Sequence, residues 1–172
     1  MRTLPLADEL ATADLLDQHG ALEVCRAPFR RYGGRPAFHG PLATVRCRGD
    51  NGLVKRLVSE PGHGRVLFVD GGGALDVALV GDNVAEAASA HDWAGIVVHG
   101  AVRDSRRLAG IDLGVIALGT DPRRPSHRGE GETDVPIRCG GTVLRPGALL
   151  FADEDGVLVA PLGFSPPSTA RP

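Results

Sequence analysis

GDNVAEAASAHDWAGIVVHGAVRD, residues 81–104, is the stretch on which the reading of this chain turns. Gly81, Asp82 and Asn83 form a turn. A helix is expected over 83–91, with Asn83 and Glu86 at capping-box spacing and Val84, Ala87 and Ala88 facing inward. AGIVVHG (94–100) is apolar on both alternating sets, as a strand covered on both faces must be. Arg103 and Asp104 close that strand. A helix that hands over to a doubly covered strand is half of a βαβ unit, so parallel pairing with right-handed crossovers is expected.

The neighbouring segments repeat the pattern. RVLFVD (65–70) and VIALG (115–119) are further buried strands, and SRRLAGIDLG is a short helical or irregular crossover between two of them. In PLATVRCR (41–48), Val45 and Cys47 alternate with Thr44 and Arg46, a strand pattern. GDNGLVKRLVSE reads as a short helix capped by Asp50 or Asn51, with Leu53, Val54, Leu57 and Val58 on its apolar side. LADELATADLLDQ (6–18) has helical periodicity through Leu6, Leu10, Leu15 and Leu16, with Gly20 as its stop. Arg26, Arg30, Arg31 and Arg35 make an irregular basic segment, read as a solvated loop or a subunit contact. After Gly119 comes a long polar loop, TDPRRPSHRGEGETD. Short strands follow (VPIRC, GTVLRP, ALLFAD, GVLVAP), punctuated by the turns at 140–141 and 154–156. The expected fold class is α/β, a central mostly parallel sheet with a second β layer packed on it. Residues 1–161 are expected to form one domain and 162–172 a Pro-rich disordered tail.

Bulk properties narrow the function. The 172 residues are 42% hydrophobic and 23% charged, ordinary for a globular protein. A net charge of -2 and 4% aromatics give no broad attraction to nucleic acid or anionic membrane and no base-stacking surface. Cys25, Cys47 and Cys139 include no CxxC pair, so buried, reduced thiols are expected. Asp8 and Glu9 interrupt any apolar leader, and no apolar run is long enough to span a bilayer. A cytoplasmic location follows as the expectation.

VDGGGALDVALVGD resembles a nucleotide loop only superficially. The dinucleotide fingerprint needs G-x-G-x-x-G opening a helix. Here Gly71, Gly72 and Gly73 are consecutive and run into an alternating stretch, as a turn into another strand does. The same glycines bear a passing likeness to the loop of S-adenosylmethionine-dependent methyltransferases.

Asp82, Arg103 and Asp104 carry the chemistry. A helix start at Gly81–Val84 offers free N–H groups and the positive end of the helix dipole to a carboxylate. Arg103 offers a planar fork for a bidentate carboxylate contact. Asp104 offers one oxygen ligand, which with water and substrate oxygens is a common way to hold Mg²⁺. Asp82 can orient a water or shuttle a proton. The same residues also fit plainer roles, Asp82 as a helix cap and Arg103–Asp104 as a surface ion pair, and spacing does not separate the two.

A family resemblance does. GDNVAEAA, WAGIVVHGAVRD and IDLGVIALGTDPRR, with FHGPLATVRC before them and GGTVLRPGALLFADEDGVLV after, resemble the family containing the ribonuclease-activity regulator A and the 4-hydroxy-4-methyl-2-oxoglutarate aldolases. The likeness spans roughly residues 5–161, and D-x20-R-D from Asp82 to Arg103–Asp104 matches the family's aldolase signature. Family members have also been mislabelled as menaquinone-pathway methyltransferases. The resemblance implies a three-layer β/β/α swivelling-domain-like sandwich. It also implies homotrimers, with further pairing into hexamers left open. The implied activity is class II retro-aldol cleavage to pyruvate, with oxaloacetate decarboxylation beside it, through a metal-stabilised pyruvate enolate. Carried over by position, Gly81, Asp82, Asn83 and Val84 contact the pyruvoyl group. Arg103 holds the substrate carboxylate or enolate oxygen, Asp82 and Arg103 are the catalytic pair, and Asp104 binds Mg²⁺ or Mn²⁺. The short C-terminus departs from the family's aldolases, in which that segment supplies an acid to a neighbouring site, and leaves the physiological substrate open. The alternative within the family is a non-catalytic inhibitor of ribonuclease E-type RNA processing, with a ribonuclease as partner.

Overall fold

The apolar runs at 66–69, 96–98 and 115–117 are buried on both alternating sets, and each becomes an inner strand. The computed structural model describes residues 10–166. Along them run α1 (Thr12–Gln18), β1 (Glu23–Val24), β2 (Arg30–Arg31), β3 (Phe38–Arg46), α2 (Gly52–Val58), β4 (Val66–Asp70), β5 (Ala78–Val80) and α3 (Asp82–Ala90). There follow β6 (Gly95–Val102), α4 (Ser105–Leu108), β7 (Gly114–Thr120), β8 (Glu132–Thr133), β9 (Ile137–Cys139), β10 (Thr142–Leu144), β11 (Leu149–Ala152) and β12 (Val157–Val159). Leu6 of the first expected helix, and residues 167–172 of the expected tail, lie outside the described residues.

β3, β4, β6 and β7 pair in parallel in that order, and β5 adds in parallel beside the end of β6. The sheet then continues through antiparallel neighbours, β2 on β7, and β11, β12 and β1 beyond β3. The turning point is β3. Its first half, Phe38–Pro41, pairs with β11, and its second half, Leu42–Arg46, pairs with β4. One strand thus serves two layers.

Alternation sorts the side chains. Leu67, Val69, Ile96, Val98, Val115 and Ala117 face α2 and α3, where Val54, Val58, Ala85 and Ala88 meet them. Val66, Phe68, Val97 and Ile116 face the opposite way, onto Ile137, Leu144, Leu150 and Val157 of the second β layer. Helices, parallel sheet and β layer are the three layers expected. Phe38 crosses the starts of β6 and β7, where any Cβ on Gly95 or Gly114 would strike its ring. Those two glycines are therefore a slot for one aromatic side chain.

Two local expectations change. The helix over 83–91 begins one residue earlier, at Asp82, with Gly81 as its N-cap and no side-chain cap bond. The carboxylate of Asp82 takes the Asn83 N–H at 2.8 Å, so the Asn83–Glu86 box does not form. At α2 the capping carboxylate is that of Asp50, which accepts from the Gly52 N–H at 2.9 Å. All three cysteines are free and buried, and burial pushes the Cys47 thiol up to about 12. No helix among the described residues is long and apolar enough to cross a membrane.

Candidate functional site

The pairing of β5 with β6 closes the distance between Asp82 and Arg103. Val80 and Val102 stand opposite each other at the two strand ends, and the Arg103 N–H donates to the Val80 carbonyl at 3.0 Å. The chain that leaves β5 as Gly81–Val84 therefore lies beside the chain that leaves β6 as Arg103–Asp104.

Asp104 turns the backbone sharply, with φ 58° and ψ 36°, the left-handed region that an aspartate tolerates better than most residues. Its carbonyl then accepts from the N–H groups of Arg107 and Leu108, which starts α4. Its carboxylate folds back over Gly81, where an added Cβ would lie 2.8 Å from Oδ2. Arg103 lies alongside, Nε 3.4 Å from that oxygen, and its Nη1 donates to the Pro122 carbonyl at 3.5 Å.

Asp82 is buried and already engaged. Arg107 Nη1 donates to its Oδ2 at 2.7 Å, and the Asn83 N–H takes its Oδ1. The Arg107 guanidinium, with that N–H behind it, holds the Asp82 carboxyl below the usual carboxylate range against the cost of burial. The Arg107 side chain is itself 77% exposed, reaching in from solvent to a carboxylate that cannot reach out. Among the described residues, the N–H groups of Asp82 and Val84 make no hydrogen bond, which leaves two donors of the first turn of α3 free.

These groups line one cleft of about 130 Å³. Gly81, Asp82, Asn83, Val84, Arg103 and Asp104 are all in its wall, so all six sequence-derived residues come together. The sequence held no sign of a site role for Asn51 just before α2, Lys55 within it, or Arg124 from the loop after β7. It also hid Arg107, the partner of Asp82, and left His127, another wall residue, outside the expected set. The loop is fastened there by Asp50, 1% exposed, whose carboxylate accepts from the Gly52 and Gly129 N–H groups, the Arg128 N–H and the Ser126 hydroxyl at 2.6–3.0 Å. Those bonds hold its carboxyl far below the usual range although burial opposes them. His99 lies elsewhere. It stands in a row with Asp70 and Arg46 across three adjacent strands, its Nδ1 3.4 Å from Asp70 Oδ1.

The donor set suits a particular kind of cation. Among the described residues no three His, Cys, Asp or Glu gather as a metal cage. Of the two carboxylates in the wall, that of Asp104 is free of hydrogen-bonded partners among the described residues, whereas each oxygen of Asp82 already accepts one, from Arg107 and from the Asn83 N–H. One hard oxygen donor fits Mg²⁺ or Mn²⁺, which keep most of their water, and does not fit a zinc site. A larger hollow of about 380 Å³ lies between β1, β10 and β12. There the one acid, Glu23, accepts from the Thr142 hydroxyl, Arg145 is the one cation, and none of the six expected residues is in the wall.

Gly71–Gly73 lead through bends into β5 and open no helix.

Comparison with known proteins agrees with the fold and the family resemblance. The family model described as RraA-like, Aldolase/RraA, matches residues 12–159. The RNA-processing inhibitor RraA from Thermus thermophilis is 45% identical over 93% of this chain and 96% of its own, with a TM-score of 0.87. A Geobacillus kaustophilus protein described as an S-adenosylmethionine:2-dimethylmenaquinone methyltransferase is 43% identical over 90% of this chain and 97% of its own, with a TM-score of 0.88. Streptomyces coelicolor RraAS2, described as an unusual member of the RNase ES inhibitor RraA family, is 25% identical over 91% of this chain and 81% of its own, with a TM-score of 0.70. With a family model spanning most of its length, the chain belongs to the RraA-like family.

Proposed function

We propose that this protein is a divalent-metal-dependent class II lyase, cleaving 4-hydroxy-4-methyl-2-oxoglutarate-type acids to pyruvate and decarboxylating oxaloacetate. The observation that carries this reading is the convergence of Arg103, Asp104 and the open first turn of α3 in one cleft. The free N–H groups of Asp82 and Val84 and the Arg103 guanidinium bind and orient the carboxylate end of the oxo-acid. Asp104 would hold Mg²⁺ or Mn²⁺, which when bound supplies Lewis-acid polarisation of the 2-oxo group. Asp82, kept ionised by Arg107, accepts hydrogen bonds from water without taking its proton, so it orients water and ties α4 to α3. The same reading carries a homotrimeric assembly, which light scattering would report as the mass of three chains.

Oxalate, a planar dianion with the shape of the pyruvate enolate, tests the site without turnover. Calorimetry is expected to show oxalate binding in Mg²⁺ and none in EDTA. Binding that ignores the metal would count against Asp104 as its anchor.

Gly81→Ala tests the packing beneath Asp104. Gly81 has φ -130° and ψ -166°, extended backbone that alanine adopts without strain. The new methyl would meet the Asp104 carboxylate, so stability is expected to hold while kcat/KM for oxaloacetate falls about tenfold to a hundredfold, the usual result of misplacing a positioned group by about 1 Å. Wild-type rates in this variant would separate Asp104 from the reaction. Methyl transfer is disfavoured because Gly71–Gly73 cradle no helix N-terminus, and calorimetry with S-adenosylmethionine is expected to give no binding heat.

A second reading, regulation of a ribonuclease, is favoured by the likeness to the Thermus RNA-processing inhibitor. Adding the protein to a ribonuclease E-type cleavage reaction tests it separately, and the same surface need not include the cleft.

A further inference from the structure

Asn51 stands at the start of α2, 4% exposed. Its Nδ2 donates to the Leu79 carbonyl at 3.0 Å. A backbone carbonyl only accepts, so the amide has one orientation, with Oδ1 turned the other way. That oxygen lies 2.6 Å from His127 Nδ1. Since Oδ1 carries no proton, Nδ1 must. In the neutral ring the lone pair then belongs to Nε2, the nitrogen that makes no hydrogen bond among the described residues.

His127 is in an unusually well-held loop. The buried Asp50 carboxylate, next in sequence to Asn51, binds Ser126 on one side of the histidine and Arg128 and Gly129 on the other. Two adjacent residues thus fix both the backbone of His127 and its tautomer. The charged groups in the wall with it are Lys55 from α2, Asp82 from α3, Arg103 and Asp104 after β6, and Arg124 from its own loop.

We propose that His127 is the proton-transfer residue of this cleft, with Asn51 as the positioning residue that makes Nε2 the base. The proposal rests on the lyase reading. In the cleavage direction, Nε2 takes the proton of the substrate's 4-hydroxyl. The hydroxyl oxygen becomes a carbonyl oxygen as the C3–C4 bond breaks, and the bond's electron pair stays on C3 of the fragment that carries the 2-oxo group. The imidazolium, whose Nε2 proton exchanges with solvent, returns one proton to that fragment's carbon, which makes the methyl group of pyruvate and leaves the ring neutral. No other reactant is consumed.

Two measurements test this. Long-range ¹H–¹⁵N spectra at pH 8 are expected to show His127 protonated on Nδ1, against the ordinary preference for Nε2, and Asn51→Leu is expected to lose that signature. In D₂O with Mg²⁺, wild type is expected to exchange the methyl protons of pyruvate. His127→Asn, whose amide can still donate to Asn51 but offers no base, is expected to exchange about a hundredfold more slowly, the ordinary contribution of a positioned acid–base group. Added imidazole should restore part of the rate in His127→Ala, which a merely structural role would not allow. An Nε2-protonated ring, or exchange in His127→Asn at the wild-type rate, would overturn the assignment. Wild type that exchanges nothing while its ring shows the Nδ1 proton would instead overturn the lyase reading beneath it.

Discussion

Replacing Asp104 by alanine is expected to cut metal-dependent release of pyruvate from oxaloacetate about a thousandfold, about 4 kcal/mol of transition-state stabilisation. The size follows from the absence of a substitute. The other acid of the cleft, Asp82, already gives one oxygen to Arg107 and the other to the Asn83 N–H, so it cannot take over a cation. Backbone and charge can be separated at this position because Asp104 sits at φ 58°. Asp104→Asn tolerates the left-handed turn and removes only the charge, so it is expected to lose activity as fully as alanine while melting at the wild-type temperature. Asp104→Gly relieves the backbone and is expected to be at least as stable as wild type yet inactive. Kinetics and thermal melts of the three variants check the set. Retained turnover in Asp104→Asn would remove the carboxylate from the mechanism.

The second large effect concerns stability. Asp50→Ala is expected to destabilise the fold by about 3–5 kcal/mol, because it strands three backbone N–H groups and a hydroxyl that now share one buried carboxylate. That is a large share of the 5–15 kcal/mol typical of a domain. The carboxyl titrates lower in the folded chain than in the unfolded one, so its stabilisation is whole above the unfolded value near pH 4 and is withdrawn as pH falls toward the depressed folded value. Urea unfolding should therefore show a wide gap between wild type and Asp50→Ala at pH 7 and a narrower one at pH 3. A gap that stays constant would mean that the ionised form contributes nothing of its own.

What the sequence disclosed and what it hid divide along chain separation. The βαβ core was legible because each of its signals is local: the apolar runs at 66–69 and 96–98, the alanine-rich helix, the turn at Gly81. The site motif was legible for the same reason, since β5, α3 and β6 are consecutive and bring Asp82 and Arg103 together without help from distant chain. The double role of β3 was not, because the alternation at 41–48 marks only the half that pairs with β4, and Phe38–Gly40, which pairs with β11, carries no such pattern. The Asp50 clamp joins residues some 76–79 apart, and nothing in DNG distinguishes a buried anion hub from an ordinary cap. Arg107 was hidden by its exposure: an arginine on a short surface helix carries no mark of the buried carboxylate it reaches. His127 became a wall residue only once that clamp had folded the polar loop against α2.

The most direct test of the account is pyruvate release from oxaloacetate, coupled to a pyruvate-consuming indicator enzyme, in Mg²⁺, then EDTA, then restored Mg²⁺. Saturable turnover that EDTA stops and Mg²⁺ restores is the expected result. No turnover of oxaloacetate or of any 4-hydroxy-2-oxo acid, from protein that measurably slows a ribonuclease, would contradict it.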